Sequence, residues 1–113
     1  MTDTIFQKII DKDLPAELLH EDDFCIAFPD ISPQAPVHVL IVPKKSLIKL
    51  HDANNEDQAL LGHLMLVANQ LATKLEVDQG YRIIINNGAK AGQSVFHLHV
   101  HLLGGRVMSW PPG

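Results

Sequence analysis

Gly92-Gln93-Ser94-Val95-Phe96-His97-Leu98-His99-Val100-His101-Leu102-Leu103 is the stretch whose reading decides the fold. It holds three of the chain's seven histidines, at every second position. A strand sends successive side chains to opposite faces. Residues 95–102 read as a strand therefore place His97, His99 and His101 on one face and Phe96, Leu98, Val100 and Leu102 on the other. The second set is an unbroken apolar row, as a core-facing strand requires. Read as a helix, the imidazoles scatter and the apolar row breaks. The expectation is a strand carrying a row of ring nitrogens over a packed floor.

Upstream, Tyr81–Asn86 reads as a strand, joined to the histidine stretch by the turn Asn87-Gly88-Ala89-Lys90-Ala91-Gly92. Before it, a long helix is expected from Asn54-Asn55 to about Val77. Leu60, Leu61, Leu64, Met65, Ala68, Leu71, Ala72 and Leu75 form its core stripe. Gly62, Leu66, Asn69 and Thr73 lie opposite, a face suited to another subunit. His63 is read as exposed, and His20 and His51 have no evident partner.

Val37–Val42 reads as a strand ended by Pro43, with His38 the one polar residue on the face of Leu40 and Val42. By itself His38 reads as a core histidine or as a partner for the histidine row. Lys44-Lys45 is read as solvated. Pro29-Asp30-Ile31-Ser32-Pro33-Gln34-Ala35-Pro36 is a stiff loop that places the Asp30 carboxylate at a strand end. Phe24–Phe28 and Glu17–Glu21 read as strands, the former with Phe24, Ile26 and Phe28 on one face. Residues 4–12 read as a short helix capped by Asp3, with Ile5, Phe6, Ile9 and Ile10 as its stripe. Strands and helices do not alternate regularly, so an α+β fold with a mostly antiparallel sheet is expected.

At 113 residues and 46% hydrophobic composition, one domain with a real core is expected. The net charge of −4 and the absence of a basic cluster argue against a general nucleic-acid surface. The single cysteine, Cys25, excludes an internal disulfide, fits a reducing compartment and reads as a buried, inert thiol. The Met-Thr-Asp-Thr start is unlike a signal peptide, and no apolar run approaches membrane-spanning length. A cytoplasmic protein without membrane partners is expected.

Two chemistries fit the histidine row. Zinc takes neutral imidazoles, but ligands at i and i+4 on one straight strand hardly reach one ion. No Asp or Glu follows Asp78 to support metal-bound histidines. Phosphate chemistry needs a neutral nucleophilic imidazole beside a donating one. Gly92-Gln93-Ser94, with small side chains, backbone N–H groups and a hydroxyl, favours it.

His97-Leu98-His99-Val100-His101-Leu102-Leu103 resembles the motif of the histidine triad (HIT) superfamily. Asp30–Pro36, the His38 strand ending Val42-Pro43-Lys44-Lys45, Leu60–Met65, Gly80-Tyr81-Arg82 and the Trp110-Pro111-Pro112-Gly113 tail resemble its Hint branch, so the likeness covers nearly the whole chain. The resemblance implies a single HIT domain over residues 1–113: a five-stranded antiparallel sheet with one short and one long helix. It also implies a homodimer that continues the sheet, with the tail 104–113 bringing Trp110 to the partner's site. It implies a purine nucleoside phosphoramidase, adenosine favoured, that cleaves P–N bonds through a nucleotidyl-histidine and requires no cofactor or metal. His99 would be the nucleophile, His101 the α-phosphate contact and His97 the residue orienting His99. His38 would extend the relay, and Ser94 would lie near the leaving amine. Asp30 would take the ribose hydroxyls. Phe6, Ile9, Leu14, Phe28 and Ile31 would hold the base. Asn86, Gly92, Gln93, Ser94 and Val100 would line the phosphate side. Two departures, Pro29 where some relatives carry His and Ser109 before Trp110, bear on substrate preference rather than on the chemistry.

Overall fold

A computed structural model describes residues 3–113; Met1 and Thr2, the start of the expected domain, lie outside the described residues. Seven main elements follow in order: α1 (Ile5–Ile10), β1 (His20–Glu21), β2 (Cys25–Pro29), β3 (Val37–Pro43), α2 (Gln58–Lys74), β4 (Tyr81–Ile84) and β5 (Val100–Gly104). The strands form one antiparallel sheet in the order β1-β2-β3-β5-β4. The α+β expectation holds.

Period-two alternation splits the sheet into two faces. Cys25, Ala27, Val39, Ile41, Val100 and Leu102 turn toward α2 and pack with Leu64, Val67, Ala68, Leu71 and Ala72. Ile26, Phe28, Leu40 and Val42 turn the other way and pack under Phe6 and Ile9 of α1. His38 and His101 share this second face. The sheet is thus sealed by a long helix on one side. On the other, a six-residue helix leaves room for a pocket.

Local chemistry shifts several expected boundaries. Thr4, not Asp3, caps α1: its side chain accepts from the Gln7 N–H. Asn54 opens the approach to α2 through a capping box with Asp57, and a short 3₁₀ turn, Asn55–Asp57, precedes the helix proper. The helix ends at Lys74 rather than Val77, where Glu76 takes a positive φ. Val67 belongs to its core stripe, while Leu60, Leu61, Met65 and Leu75 are only partly buried. Gly62, Leu66, Asn69 and Thr73 stay exposed. β1 is two residues long rather than five.

Phe24 does not join the face of Ile26 and Phe28. Asp22 Oδ1 accepts from the Phe24 and Cys25 N–H groups, so the pleat begins only at Cys25, and Phe24 is 58% exposed. Lys44 and Lys45 are paired rather than simply solvated. Lys44 reaches Glu21 at 3.3 Å and Lys45 reaches the buried Asp57 at 2.5 Å.

The largest correction falls on the opening stretch. β5 begins at Val100, and residues 95–99 are irregular. The β3–β5 register pairs Ile41 with Val100, so one more pair of steps would set Leu98 against Pro43. Proline has no N–H to give, and the ladder stops. The Leu98 N–H goes to the Leu47 carbonyl instead, at 2.6 Å, and the Pro43 carbonyl accepts from the His97 ring. Phe96, expected in the core, is half-exposed. The three histidines therefore do not share one strand face.

Candidate active site

Freed from the strand, His97 and His99 turn differently. The His97 ring is buried and donates from Nε2 to the Pro43 carbonyl at 2.8 Å. Burial lowers its pKa, partly opposed by that bond. His97 thus anchors the irregular segment, and its own backbone carbonyl faces the next ring.

That carbonyl sets the tautomer of His99. His99 Nδ1 lies 2.7 Å from the His97 carbonyl oxygen. A carbonyl only accepts, so Nδ1 carries a proton, and in the neutral tautomer the lone pair is on Nε2. Phe6 stands edge-on to the ring at 4.9 Å and fixes its plane. His99 lines a cavity of about 760 Å³ on the α1 face.

A second chain of bonds sets His101. The Gln34 backbone N–H donates to His38 Nδ1 at 3.0 Å. His38 must then carry its proton on Nε2, which lies 2.9 Å from His101 Nδ1. His101 Nδ1 accepts, so the neutral His101 ring holds its proton on Nε2. That atom is buried and has no hydrogen-bond partner among the described residues. Burial, with the nearby His99 and His38, drives the His101 pKa down to about 4, Asp30 opposing, so the ring is neutral at pH 7. Burial likewise lowers His38, with Asp30 opposing. The two relays are separate: His38 ends on His101, not on His99.

His99 and His101 stand with ring centroids 4.9 Å apart. Both rings line the cavity, and the buried His101 Nε2–H lies beneath its floor beside the His99 ring. Asp30 sits beyond them. Its Oδ1 accepts from the Ser32 N–H, the turn-capping role, while Oδ2 lies 3.5 Å from His38 Nε2. The turn-capping reading is thus met, with the second oxygen turned toward His38.

Phe6, Ile9, Leu14, Phe28, Asp30, Ile31, Asn86, Gly92, Ser94, His99 and His101 all line the cavity. Gln93 and Val100 do not. The Gln93 amide is buried, accepts from the Gly88 N–H and donates to the Ile48 and Val95 carbonyls, so it braces the loop. Val100 packs in the α2 core. His97 and His38 act from behind the lining. Ile5 of the α1 stripe and Pro29, the departure tied to substrate preference, also line it, and so do Pro15, Ala16, Glu17, Leu40 and Val95, which were not foreseen. Leu40 was legible in principle, since it shares the His38 face. The Pro15–Glu17 segment was not, because no periodicity signals its approach. Gly92 takes φ +97°, which lets the chain turn beside Asn86. Trp110 is 81% exposed in the single chain, with the Arg82 guanidinium 6.0 Å from its ring.

Residues 11–108 match the HIT domain model. The chain belongs to the HIT family. It is 59% identical to an uncharacterized HIT-like protein of Synechocystis, over 98% of this chain and 97% of that protein. Its structure is similar to that of a HIT family hydrolase from Legionella pneumophila, with a TM-score of 0.96 and 44% identity, covering 98% of this chain and all of that one. It is also similar to a histidine triad nucleotide-binding protein from Candida albicans, with a TM-score of 0.82 and 34% identity over 96% of this chain and 83% of that one. The fold is thus the HIT fold, and no helix in the described residues is long and apolar enough to cross a membrane.

Proposed function

We propose that this HIT protein is a purine nucleoside phosphoramidase of the Hint branch, a single domain over residues 1–113. The carrying observation is the paired state of the cavity floor: His99 Nε2 bears a lone pair, and His101 Nε2 bears an unpartnered proton. An α-phosphate placed between them meets a nucleophile and a donor together. The likeness to a HIT family hydrolase and to a histidine triad nucleotide-binding protein supports the reading.

In this mechanism His99 Nε2 attacks the α-phosphorus as the P–N bond breaks. The amine departs with a proton drawn from solvent through the Ser94 hydroxyl. The nucleotidyl-imidazolium keeps its Nδ1 proton on the His97 carbonyl. Water then attacks phosphorus and gives up a proton to solvent, the Nε2–P bond breaks with its electron pair returning to the ring, and the nucleoside monophosphate leaves. The His101 N–H holds a non-bridging oxygen throughout, where charge accumulates. Phe6, Ile9, Leu14, Phe28 and Ile31 hold the base, and the acceptor-only Asp30 carboxylate takes the two ribose hydroxyls. Asn86, Gly92 and Ser94 flank the phosphate. Gln93 serves this site through the loop it braces, and Val100 through its backbone.

The test is turnover of adenosine 5'-phosphoramidate with mass analysis of rapidly quenched enzyme. A nucleotide adduct on the tryptic peptide of His99 is expected, with loss of several orders of magnitude in His99→Ala. Undiminished turnover by that variant refutes the mechanism.

The same reading includes a homodimer in which β4, the sheet edge, pairs with its copy. The tail 104–113 then carries Trp110 to the partner's cavity. The exposed Trp110 and Leu66, and an edge strand with free backbone groups, support it. Sedimentation at micromolar concentration checks it, and a monomer overturns it.

A further inference from the structure

His20, left without an evident partner by the sequence, and His63, read there as exposed, converge with Cys25 on one carboxylate. Asp22 Oδ2 lies 2.6 Å from His20 Nε2, 2.7 Å from His63 Nε2 and 3.6 Å from Cys25 Sγ. One ligand atom from each of the four residues falls within 4.8 Å of all the others. His20 comes from β1, Asp22 from the β1–β2 turn, Cys25 from the start of β2 and His63 from the second turn of α2. Cys25 packs on the α2 face of the sheet, opposite the catalytic cavity.

We propose that His20, Asp22, Cys25 and His63 form a four-coordinate zinc-class metal site that ties the β1–β2 hairpin to α2. Two imidazoles, a thiolate and a carboxylate are a borderline-soft set that suits zinc and selects against magnesium and calcium, which take oxygen ligands. Zinc–ligand bonds of about 2.0–2.3 Å at tetrahedral angles put ligand atoms roughly 3.3–3.7 Å apart. The observed separations bracket that range, so shifts of about an ångström seat the ion. The carboxylate is already oriented. Its Oδ1 holds the Phe24 and Cys25 N–H groups at 2.7 and 2.9 Å, which leaves Oδ2 to the ion. There is also an entry path: His20, Asp22 and His63 are each about one-quarter to one-third exposed, with the buried Cys25 as the floor.

The charges close. A divalent cation, one carboxylate and one thiolate sum to zero with two neutral imidazoles. Binding forms the metal–sulfur bond as the thiol proton leaves to solvent. The site lies outside the phosphoramidase mechanism and does not depend on it. The cluster Asp30, His38 and His101 also comes within ligand reach, but it belongs to the catalytic cavity.

The experiment uses the full chain dialysed against chelator, then titrated with zinc alone or cobalt alone. One ion per chain is expected, with a zinc-dependent rise in Tm, because an ion that binds only the folded state stabilises it. Cobalt should give tetrahedral ligand-field bands and a thiolate charge-transfer band. His63→Ala and His20→Ala should each weaken zinc by more than the roughly 10- to 100-fold typical of losing an outer-sphere partner. Both should still cleave the phosphoramidate. Cys25→Ser should lose the charge-transfer band, and His101→Ala should retain binding. No zinc-induced rise in Tm in the parent protein overturns the proposal. So does binding that survives both His20→Ala and His63→Ala, or that disappears in His101→Ala. The two surface histidine variants keep the test valid even if the buried Cys25→Ser fails to fold.

Discussion

His38 never lines the cavity, yet its replacement should cost catalysis, and the size of the loss follows from the hydrogen bonds. In His38→Phe the 2.9 Å bond to His101 Nδ1 is gone. A buried acceptor without a donor costs about 1–3 kcal/mol. The His101 ring can recover by moving its proton from Nε2 to Nδ1, but it then turns a lone pair toward the phosphate oxygens. The loss in kcat/KM should fall between about 10-fold, the worth of one relay bond, and about 1,000-fold, the worth of one donor to developing charge. His38→Gln supplies the control. Its amide oxygen can accept from the Gln34 N–H and its amide nitrogen can donate to His101, so turnover should stay within a few-fold of the parent. Single-turnover kinetics on a phosphoramidate with a fluorescent amine measures the effect, and nitrogen NMR of the His101 ring reads its tautomer. Full activity in His38→Phe refutes the relay. So does a parent ring protonated at Nδ1.

His101, His97 and His38 all have pKa values lowered by burial, His101 to about 4. The unfolded chain therefore binds more protons as pH falls below about 6.5, so this stability is fully present above that pH. It is lost progressively as pH falls toward about 4, and urea midpoints across that window should decline; a flat profile counts against the buried, neutral rings. A Cβ at Gly104 would lie 2.7 Å from Val77 Cβ, so Gly104→Ala should cost about 1–3 kcal/mol by overpacking, read as a lower Tm. Asp30→Asn should raise KM for a ribonucleoside phosphoramidate by about 10-fold or more and have a smaller effect on the 2',3'-dideoxy analogue. Equal effects on both substrates would remove the ribose role.

Much of this protein was decided by pattern alone. Alternation in Val37–Val42 and in Val100–Leu102 sorted the sheet faces, and the stripe from Leu64 to Ala72 named the face of α2 in the core. Those features depend on local periodicity, which a linear reading captures. The histidine motif and its flanks also pointed to the residues that meet in the cavity. Tertiary structure alone decided how those residues are oriented and which partners they take. Pro43 stops the ladder opposite Leu98, so His97 and His99 leave the strand and take separate partners. The tautomer of His101 is set by His38, 63 positions away, and through it by the Gln34 N–H. His63 meets Asp22 across 41 positions, and nothing near either residue announces it. A ring nitrogen's proton goes where its partner requires, and partners are chosen by the packing of distant segments.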